Sequence, residues 1–162
     1  MTTTTINFSD LFQKDLVFLD KEYKSREEFF EEFGSIMFEK EYVKESFLPE
    51  IMKREAAYPT GLETVCYGVA IPHTDPINLK KSFIAVIRPK KAVEFEPMGM
   101  AEGKIFAKMI FVLGIHKDGG QVLLLQKLMD MFMQENVMKE IVAIQDEEVM
   151  INKIKEFFGG EQ

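Results

Sequence analysis

The sequence is poor in the side chains that form disulfides and bind metals. Its 162 residues include one cysteine, two histidines and no tryptophan. A single cysteine, Cys66, excludes an intrachain disulfide and suits a reducing compartment. Two histidines and one cysteine, with no closely spaced set among them, fall short of the ligands that a zinc site needs. We therefore expect no metal site.

Long apolar runs and an excess of positive charge are also missing. No stretch approaches the roughly 18 to 20 apolar residues that span a membrane, and residues 1–5 lack the basic and apolar regions of a secretory signal. Twenty basic against 27 acidic residues give a net charge of −7. This charge argues against a nucleic-acid partner, because phosphate backbones attract clustered lysine and arginine. We expect a cytoplasmic protein that does not insert into a membrane.

The length and the apolar pattern predict one α/β domain. A chain of this size is long enough to bury one sizeable core, and no repeat or linker divides it. We expect a single domain over residues 1–162, with flexible tails at 1–6 and 159–162. Strand candidates are residues 16–19, 65–71, 82–88, 93–95 and 104–114. Helices are expected after a capping box at Ser25 and Glu28, over residues 44–57, from Gly119–Gly120, and after a cap at Asp146.

A Pro-His pair is the strongest chemical feature of the chain. It follows a strand-like run at residues 67–71, and Pro72 ends that run and stiffens the approach to His73. The neutral, nucleophilic form of imidazole is abundant near neutral pH. Such a histidine can accept a group and pass it on. From these residues alone, a structural histidine satisfied by backbone groups is an equal alternative.

Several motifs in order resemble the enzyme IIA (EIIA) components of the sugar phosphotransferase system (PTS). They are Arg54-Glu55, Pro59-Thr60-Gly61 and the GVAIPH segment at residues 68–73. The resemblance is to the fructose/mannitol superfamily, is greatest for the galactitol-specific branch, and covers nearly the whole chain. It implies the mannitol-type EIIA sandwich, an α/β fold in which a central mixed β-sheet is flanked by helices on both faces.

The resemblance also implies a phosphotransferase function with a phosphohistidine intermediate. His73 would accept a phosphoryl group on Nε2 from the phosphocarrier protein HPr, while Nδ1 donates to a nearby carbonyl. It would then pass the group to enzyme IIB, normally to a cysteine, for uptake of galactitol or a related polyol through membrane enzyme IIC. No organic cofactor is implied. A nitrogen-regulatory EIIA-like module that signals by phosphorylation-dependent binding needs the same His73 chemistry, so this alternative stays open.

Arg54 and Gln121 are the other two candidate site residues. A guanidinium presents a fork of donors matched to phosphoryl oxygens, and Arg54 matches the arginine of the family; the alternative is a solvated residue in the last turn of a helix. Gln121 stands where mannitol- and fructose-type members carry a second histidine. It can donate a neutral hydrogen bond, or it can be an ordinary polar residue at a helix start. The register of His116 does not fit the second histidine, so we expect a solvated loop residue.

The neighbours of these candidates are assigned mainly structural roles. Glu55 either orients the adjacent guanidinium or is surface charge. Thr60 and Gly61 are expected to form a turn beneath His73, with Gly61 free to adopt a positive φ. Asp75 is left out of the site, because a carboxylate that touches a phosphoryl group would repel it.

Overall fold

The computed structural model describes residues 8–115 and 120–159. The predicted tails at residues 1–6 and 160–162 therefore lie outside the described residues, and so does His116. Gly159, which we placed in the C-terminal tail, is the last residue of a helix.

A mixed β-sheet lies at the centre of the described chain. Its strands are β1 (Phe12–Lys21), β2 (Gly61–Glu63), β3 (Gly68–Ala70), β4 (Phe83–Pro89), β5 (Val93–Phe95) and β6 (Ile105–Gly114). The strand order is β1-β4-β6-β3-β2, and β5 pairs with β6. β1 is parallel to β4 and β3 is parallel to β6, whereas the other pairs are antiparallel. Each predicted strand has a counterpart here, except that the segment 65–71 is divided differently.

Helices cover both faces of this sheet, as predicted. They are α1 (Arg26–Glu39), α2 (Phe47–Ala57), α3 (Gly120–Phe132), α4 (Glu135–Ala143) and α5 (Glu147–Gly159). One apolar core joins α1 and α2 to one face, and a second core joins α3, α4 and α5 to the other. Residues along β4 alternate between these cores, since Phe83 and Ala85 belong to the first and Ile84 and Val86 to the second. Sequence analysis missed α4.

Both predicted helix caps are present. The Ser25 hydroxyl accepts a hydrogen bond from the Glu28 N–H at 3.1 Å. The Glu28 carboxylate accepts from the N–H of Lys24 rather than from that of Ser25. Asp146 accepts from the Val149 N–H at 2.9 Å. These bonds satisfy donors that a helix start otherwise leaves free, so α1 and α5 begin where the capping pattern placed them.

The predicted strand at residues 65–71 is wrong in its first half. Residues 61–70 form a β-hairpin in which Gly61 pairs with Ala70. Thr64 builds its turn: its hydroxyl donates to the Tyr67 carbonyl at 2.6 Å and accepts from the N–H groups of Cys66 and Tyr67. The apolar run at residues 65–71 begins within this turn, so the sequence pattern did not show where the turn ends and β3 begins.

Gly61 consequently does not form the turn that we predicted. It begins β2 and is not among the residues with a positive φ. A β-carbon at Gly61 would lie 2.5 Å from the carbonyl oxygen of Glu96. The glycine is needed for this close approach of two backbone segments, rather than for a left-handed conformation.

Candidate functional site

His73 lies at the carboxyl edge of the parallel strands β3 and β6. It follows β3 by three residues and pairs with Leu113 as an isolated bridge. The N–H of Leu113 donates to the Pro72 carbonyl at 3.0 Å. Since Leu113 is nearly fully buried and belongs to the central strand β6, the backbone that carries His73 is joined to the buried centre of the sheet.

The His73 ring is held by one hydrogen bond. Its Nδ1 lies 2.8 Å from the carbonyl oxygen of Ile71. A carbonyl oxygen can only accept, so Nδ1 carries the hydrogen and Nε2 holds the lone pair. Within the described residues no group hydrogen-bonds to Nε2. Of the two ring nitrogens, Nε2 is therefore the one whose lone pair is available.

The environment of His73 favours the neutral imidazole. Burial lowers the pKa of His73 below its ordinary value, and the charge of Arg54 lowers it further. The Ile71 carbonyl and the Asp75 carboxylate oppose this shift without cancelling it. A neutral ring with a free lone pair is the form that can accept an electrophilic group.

Arg54 is in the last turn of α2 and faces the same region as His73. Its guanidinium lies 3.8 Å from the Asp75 carboxylate and 5.6 Å from the centre of the Tyr58 ring. Its Nε is buried and has no hydrogen-bond partner among the described residues. Buried donors are rarely left unpaired, so this Nε is an exception within the described residues and is chemically suited to an anionic acceptor.

Asp75, which we left out of the site, lies beside Arg54. Its side chain is 76% exposed and forms an ion pair with Arg54. It makes no capping hydrogen bond to the short 3-10 turn that follows it. Repulsion between a carboxylate and a phosphoryl group was the reason for leaving Asp75 out, and the sequence did not reveal that the Arg54 guanidinium would lie beside this carboxylate.

Glu55 has neither of the roles considered for it. It is only 5% exposed, and its two carboxylate oxygens accept from the Thr60 N–H at 2.7 Å and the Thr60 hydroxyl at 2.8 Å. Burial raises its pKa to about 7, although both bonds from Thr60 act in the opposite direction. The sequence did contain an indication: Ile51, one helical turn earlier, is a residue of the apolar stripe.

The Thr60 hydroxyl is consequently not available to a ligand, because it donates to Glu55. On the other side of His73, the buried Asn78 amide donates to the Thr74 hydroxyl at 3.1 Å. The Asn78 N–H donates to the Asp75 carbonyl, also at 3.1 Å. The segments before and after His73 are thus both held by buried hydrogen bonds.

The structure places Gln121 in the first turn of α3, the helix that follows β6 in the chain. A role for the Gln121 side chain stays a prediction.

Residues 8–115 and 120–159 contain no group of three or more His, Cys, Asp or Glu side chains that could hold a metal ion. No helix within those ranges is long and apolar enough to cross a membrane.

Comparison with known proteins connects this site to one family. A model of the family described as "Phosphoenolpyruvate-dependent sugar phosphotransferase system, EIIA 2" matches residues 10–157. The PTS system galactitol-specific EIIA component of Escherichia coli strain K12 is 24% identical over 136 residues, which are 84% of this chain and 87% of that protein.

Solved structures share the fold. Nitrogen regulatory protein IIA-Ntr from Neisseria meningitidis has a TM-score of 0.69 at 23% identity, over 90% of this chain and 97% of that chain. Enzyme IIAMTL from Escherichia coli, solved in a complex with phosphorylated enzyme IIBMTL, has a TM-score of 0.69 at 18% identity, over 93% of this chain and all of that chain. These likenesses confirm the predicted mannitol-type sandwich.

Proposed function

Because the chain belongs to the EIIA 2 family of the phosphoenolpyruvate-dependent sugar phosphotransferase system, we propose that it is a phosphocarrier whose acceptor atom is Nε2 of His73. The family and the fold support a phosphocarrier role. The observation that carries the assignment is the His73 ring, whose Nδ1 is hydrogen-bonded to the Ile71 carbonyl at 2.8 Å and whose Nε2 is thereby left as the nucleophile.

The proposed reaction is an in-line transfer between two imidazoles. Nε2 of His73 attacks the phosphorus of the phosphohistidine of HPr, and the new N–P bond forms as the donor N–P bond breaks. The donor imidazole leaves with the electron pair of the broken bond. The His73 ring then carries a positive charge with its hydrogen still on Nδ1, and the Ile71 carbonyl stabilises that charge.

Arg54 would stabilise the negative charge of the transferring group. Its guanidinium can present two parallel N–H donors to phosphoryl oxygens. In the described structure its Nε has no partner, and its ion pair with Asp75 is long at 3.8 Å and solvent-exposed. Turning the guanidinium toward a phosphoryl group would therefore cost only this weak ion pair. Hydrogen-bond donors that are already close to the reacting group are effective in a partly desolvated site.

Two exposed apolar side chains beside the site would help a partner to dock. Tyr58, which contacts Arg54, is 68% exposed, and Ile77, two residues after Asp75, is 74% exposed. Apolar contacts ringed by polar residues are typical of transient interfaces. HPr as donor and enzyme IIB as acceptor would use this surface in turn.

The downstream assignment rests on the relatives. A galactitol-specific EIIA component is similar over 84% of the chain, and a structural neighbour was solved with its phosphorylated enzyme IIB. We therefore assign onward transfer to an enzyme IIB, which together with membrane enzyme IIC would take up galactitol or a related polyol. The chain would act in the cytoplasm, where HPr is phosphorylated.

A regulatory role is the second candidate, and a specific likeness supports it. The structural match to IIA-Ntr covers 97% of the IIA-Ntr chain. Both roles predict phosphorylation of His73, so they differ only in the next step. A carrier passes the group to enzyme IIB, whereas a regulator keeps it and changes its affinity for a target protein.

Intact-mass spectrometry tests the proposal. The chain is incubated with phosphoenolpyruvate, enzyme I and HPr, and the variants are His73→Asn and, as a matched control, His116→Asn. We expect one acid-labile phosphoryl group on the wild type and on the control, and none on His73→Asn. No adduct from a donor system that phosphorylates a known EIIA would contradict the proposal. Addition of enzyme IIB then separates the two roles, because only a carrier loses the group to it.

A further inference from the structure

A continuous series of hydrogen bonds leads from Glu55 to His73. The Glu55 carboxylate binds both the N–H and the hydroxyl of Thr60. The carbonyl of Thr60 accepts from the N–H of Ile71 at 3.3 Å. The carbonyl of Ile71 accepts from Nδ1 of His73 at 2.8 Å. Glu55, Thr60 and Ile71 are not adjacent in the sequence, and hydrogen bonds of their main chain and side chains connect them to the imidazole.

This series is shielded from water. Glu55 is 5%, Thr60 4% and Ile71 0% exposed. Solvent therefore cannot readily replace a lost bond, and each partner would be left unsatisfied if the next were removed. The bond from Ile71 to Thr60 thus couples these two residues, in addition to the contacts with β6 that hold Ala70 and Pro72.

The residue after Thr60 is anchored independently. The N–H of Gly61 donates to the Glu96 carbonyl at 3.0 Å, and the Glu96 carboxylate accepts from Arg26 at 3.1 Å. Gly61 also pairs with Ala70 in the hairpin. The Gly61 N–H and the Thr60 carbonyl belong to one peptide group, so Glu96 holds this group from one side, while Glu55 holds the N–H and the hydroxyl of Thr60 on the other.

We infer that Glu55 is a positioning residue for His73: by fixing Thr60 it sets the Ile71 carbonyl that orients the imidazole and selects its tautomer. The kinetic part of this inference rests on the proposed phosphorylation of His73, and the structural part does not. Glu55 touches neither the imidazole nor the transferring group, so it acts only through Thr60 and Ile71.

The chain offers variants that separate this role from general stability. Glu55→Gln keeps an acceptor for the Thr60 N–H and supplies an amide donor for the Thr60 hydroxyl oxygen. Glu55→Ala removes both bonds, and Thr60→Val removes the one from the hydroxyl. Thr64→Val is the matched control, because it removes a threonine hydroxyl that is bonded within the same hairpin but outside this series.

The experiment measures the His73 tautomer by ¹⁵N NMR in a His116→Asn background, so that one histidine remains. We expect the Nδ1–H tautomer to predominate in the wild type, Glu55→Gln and Thr64→Val, and a mixture of tautomers in Glu55→Ala and Thr60→Val. The rate of phosphorylation by phospho-HPr should fall about tenfold in the latter two. If Glu55→Ala does not fold, Thr60→Val carries the test.

An unchanged tautomer in folded Thr60→Val would overturn the inference, and so would an equal change in Thr64→Val. Failure of the proposed function is distinguishable from both. If the wild type is not phosphorylated but the tautomer shifts as expected, the positioning role holds and the phosphocarrier role does not. If the wild type is phosphorylated and all variants match it in tautomer and rate, only the inference fails.

Discussion

Arg54 and Arg88 are both arginines beside an aspartate, yet they use their donors in opposite ways. Arg88 is in β4, and its side chain is 7% exposed. It donates to the carbonyls of Val142 and Ile144 and to the side chains of Asp20 and Gln145. Arg54 has one long ion pair, and its buried Nε has no partner in the described chain.

The difference shows which arginine serves the fold. Arg88 binds the carbonyl groups at the end of α4 and joins that helix to the sheet, so its donors stabilise the native state. The buried Nε of Arg54 has no partner among the described residues, so it adds no hydrogen bond to the stability of the free protein. Arg54→Lys should therefore lower mainly the phosphorylation rate, whereas Arg88→Lys should lower mainly the stability of the fold.

Arg54→Lys gives the largest expected effect. Lysine keeps the charge but loses Nε and the planar fork, so we expect the rate of His73 phosphorylation to fall about 100-fold. The free energy of unfolding should change by less than about 1 kcal/mol, because the ion pair with Asp75 is exposed. Single-turnover kinetics with phospho-HPr and urea unfolding measure the two quantities. A rate close to that of the wild type would mean that charge alone is needed.

Arg88→Lys is the matched substitution at the other arginine. A lysine cannot replace all four hydrogen bonds, and the Val142 and Ile144 carbonyls would lose their donor. We expect a loss of about 2 kcal/mol in the free energy of unfolding. The phosphorylation rate per folded molecule should stay unchanged. A loss of rate without a loss of stability would remove the distinction between the two arginines.

Glu55 and Asp75 extend the comparison to a buried and an exposed carboxylate, and Glu55 predicts a pH effect. Its pKa is raised from 4.5 to about 7, with burial as the main cause; Arg26 lowers it and Glu96 raises it. The folded state therefore holds a proton that the unfolded state releases. Glu55 thus contributes stability below about pH 4.5 that is lost as the pH rises through about 7, to a total of about 3 kcal/mol.

Urea unfolding of the wild type and Glu55→Gln between about pH 5 and pH 8 measures this effect. Relative to Glu55→Gln, the wild type should become less stable as the pH rises, since glutamine does not titrate. A constant difference between the two proteins would show that the Glu55 pKa is ordinary.

Asp75→Asn gives the smallest expected effect. The Asp75 side chain is 76% exposed, and its charge raises the pKa of His73 while burial lowers it. Removal of the charge should lower the pKa of His73 further and release Arg54, with a gain in phosphorylation rate of no more than about fivefold. NMR titration of His73 and single-turnover kinetics measure these changes. A large loss of rate would instead make Asp75 a required group of the site.

Local patterns in the sequence were sufficient for most of the fold. The capping residues Ser25 and Asp146 predicted two helix starts, and the continuous apolar run at residues 104–114 predicted the central strand β6. The hairpin was missed because its turn depends on the hydrogen bonds of one side chain, that of Thr64, which directly precedes a run of apolar residues. Such a turn has no glycine or proline to mark it.

The site could be predicted only in part. His73 and Arg54 were named because their motif resembles a family, and the structure brings them close enough for the Arg54 charge to lower the pKa of His73. The roles of Glu55 and Asp75 depend on partners that the chain brings near only when folded. No local pattern distinguishes Arg54 from Arg88 either, because the difference is in how many acceptors surround each guanidinium.

The most direct test of the central claim locates the phosphoryl group on a single nitrogen. The chain, labelled with ¹⁵N in histidine, is phosphorylated with phosphoenolpyruvate, enzyme I and HPr, and ¹⁵N–³¹P coupling identifies the bonded atom. The account predicts a phosphoryl group on Nε2 of His73, with Nδ1 still protonated and bonded to Ile71. A phosphoryl group on Nδ1, on His116 or on no histidine would contradict it.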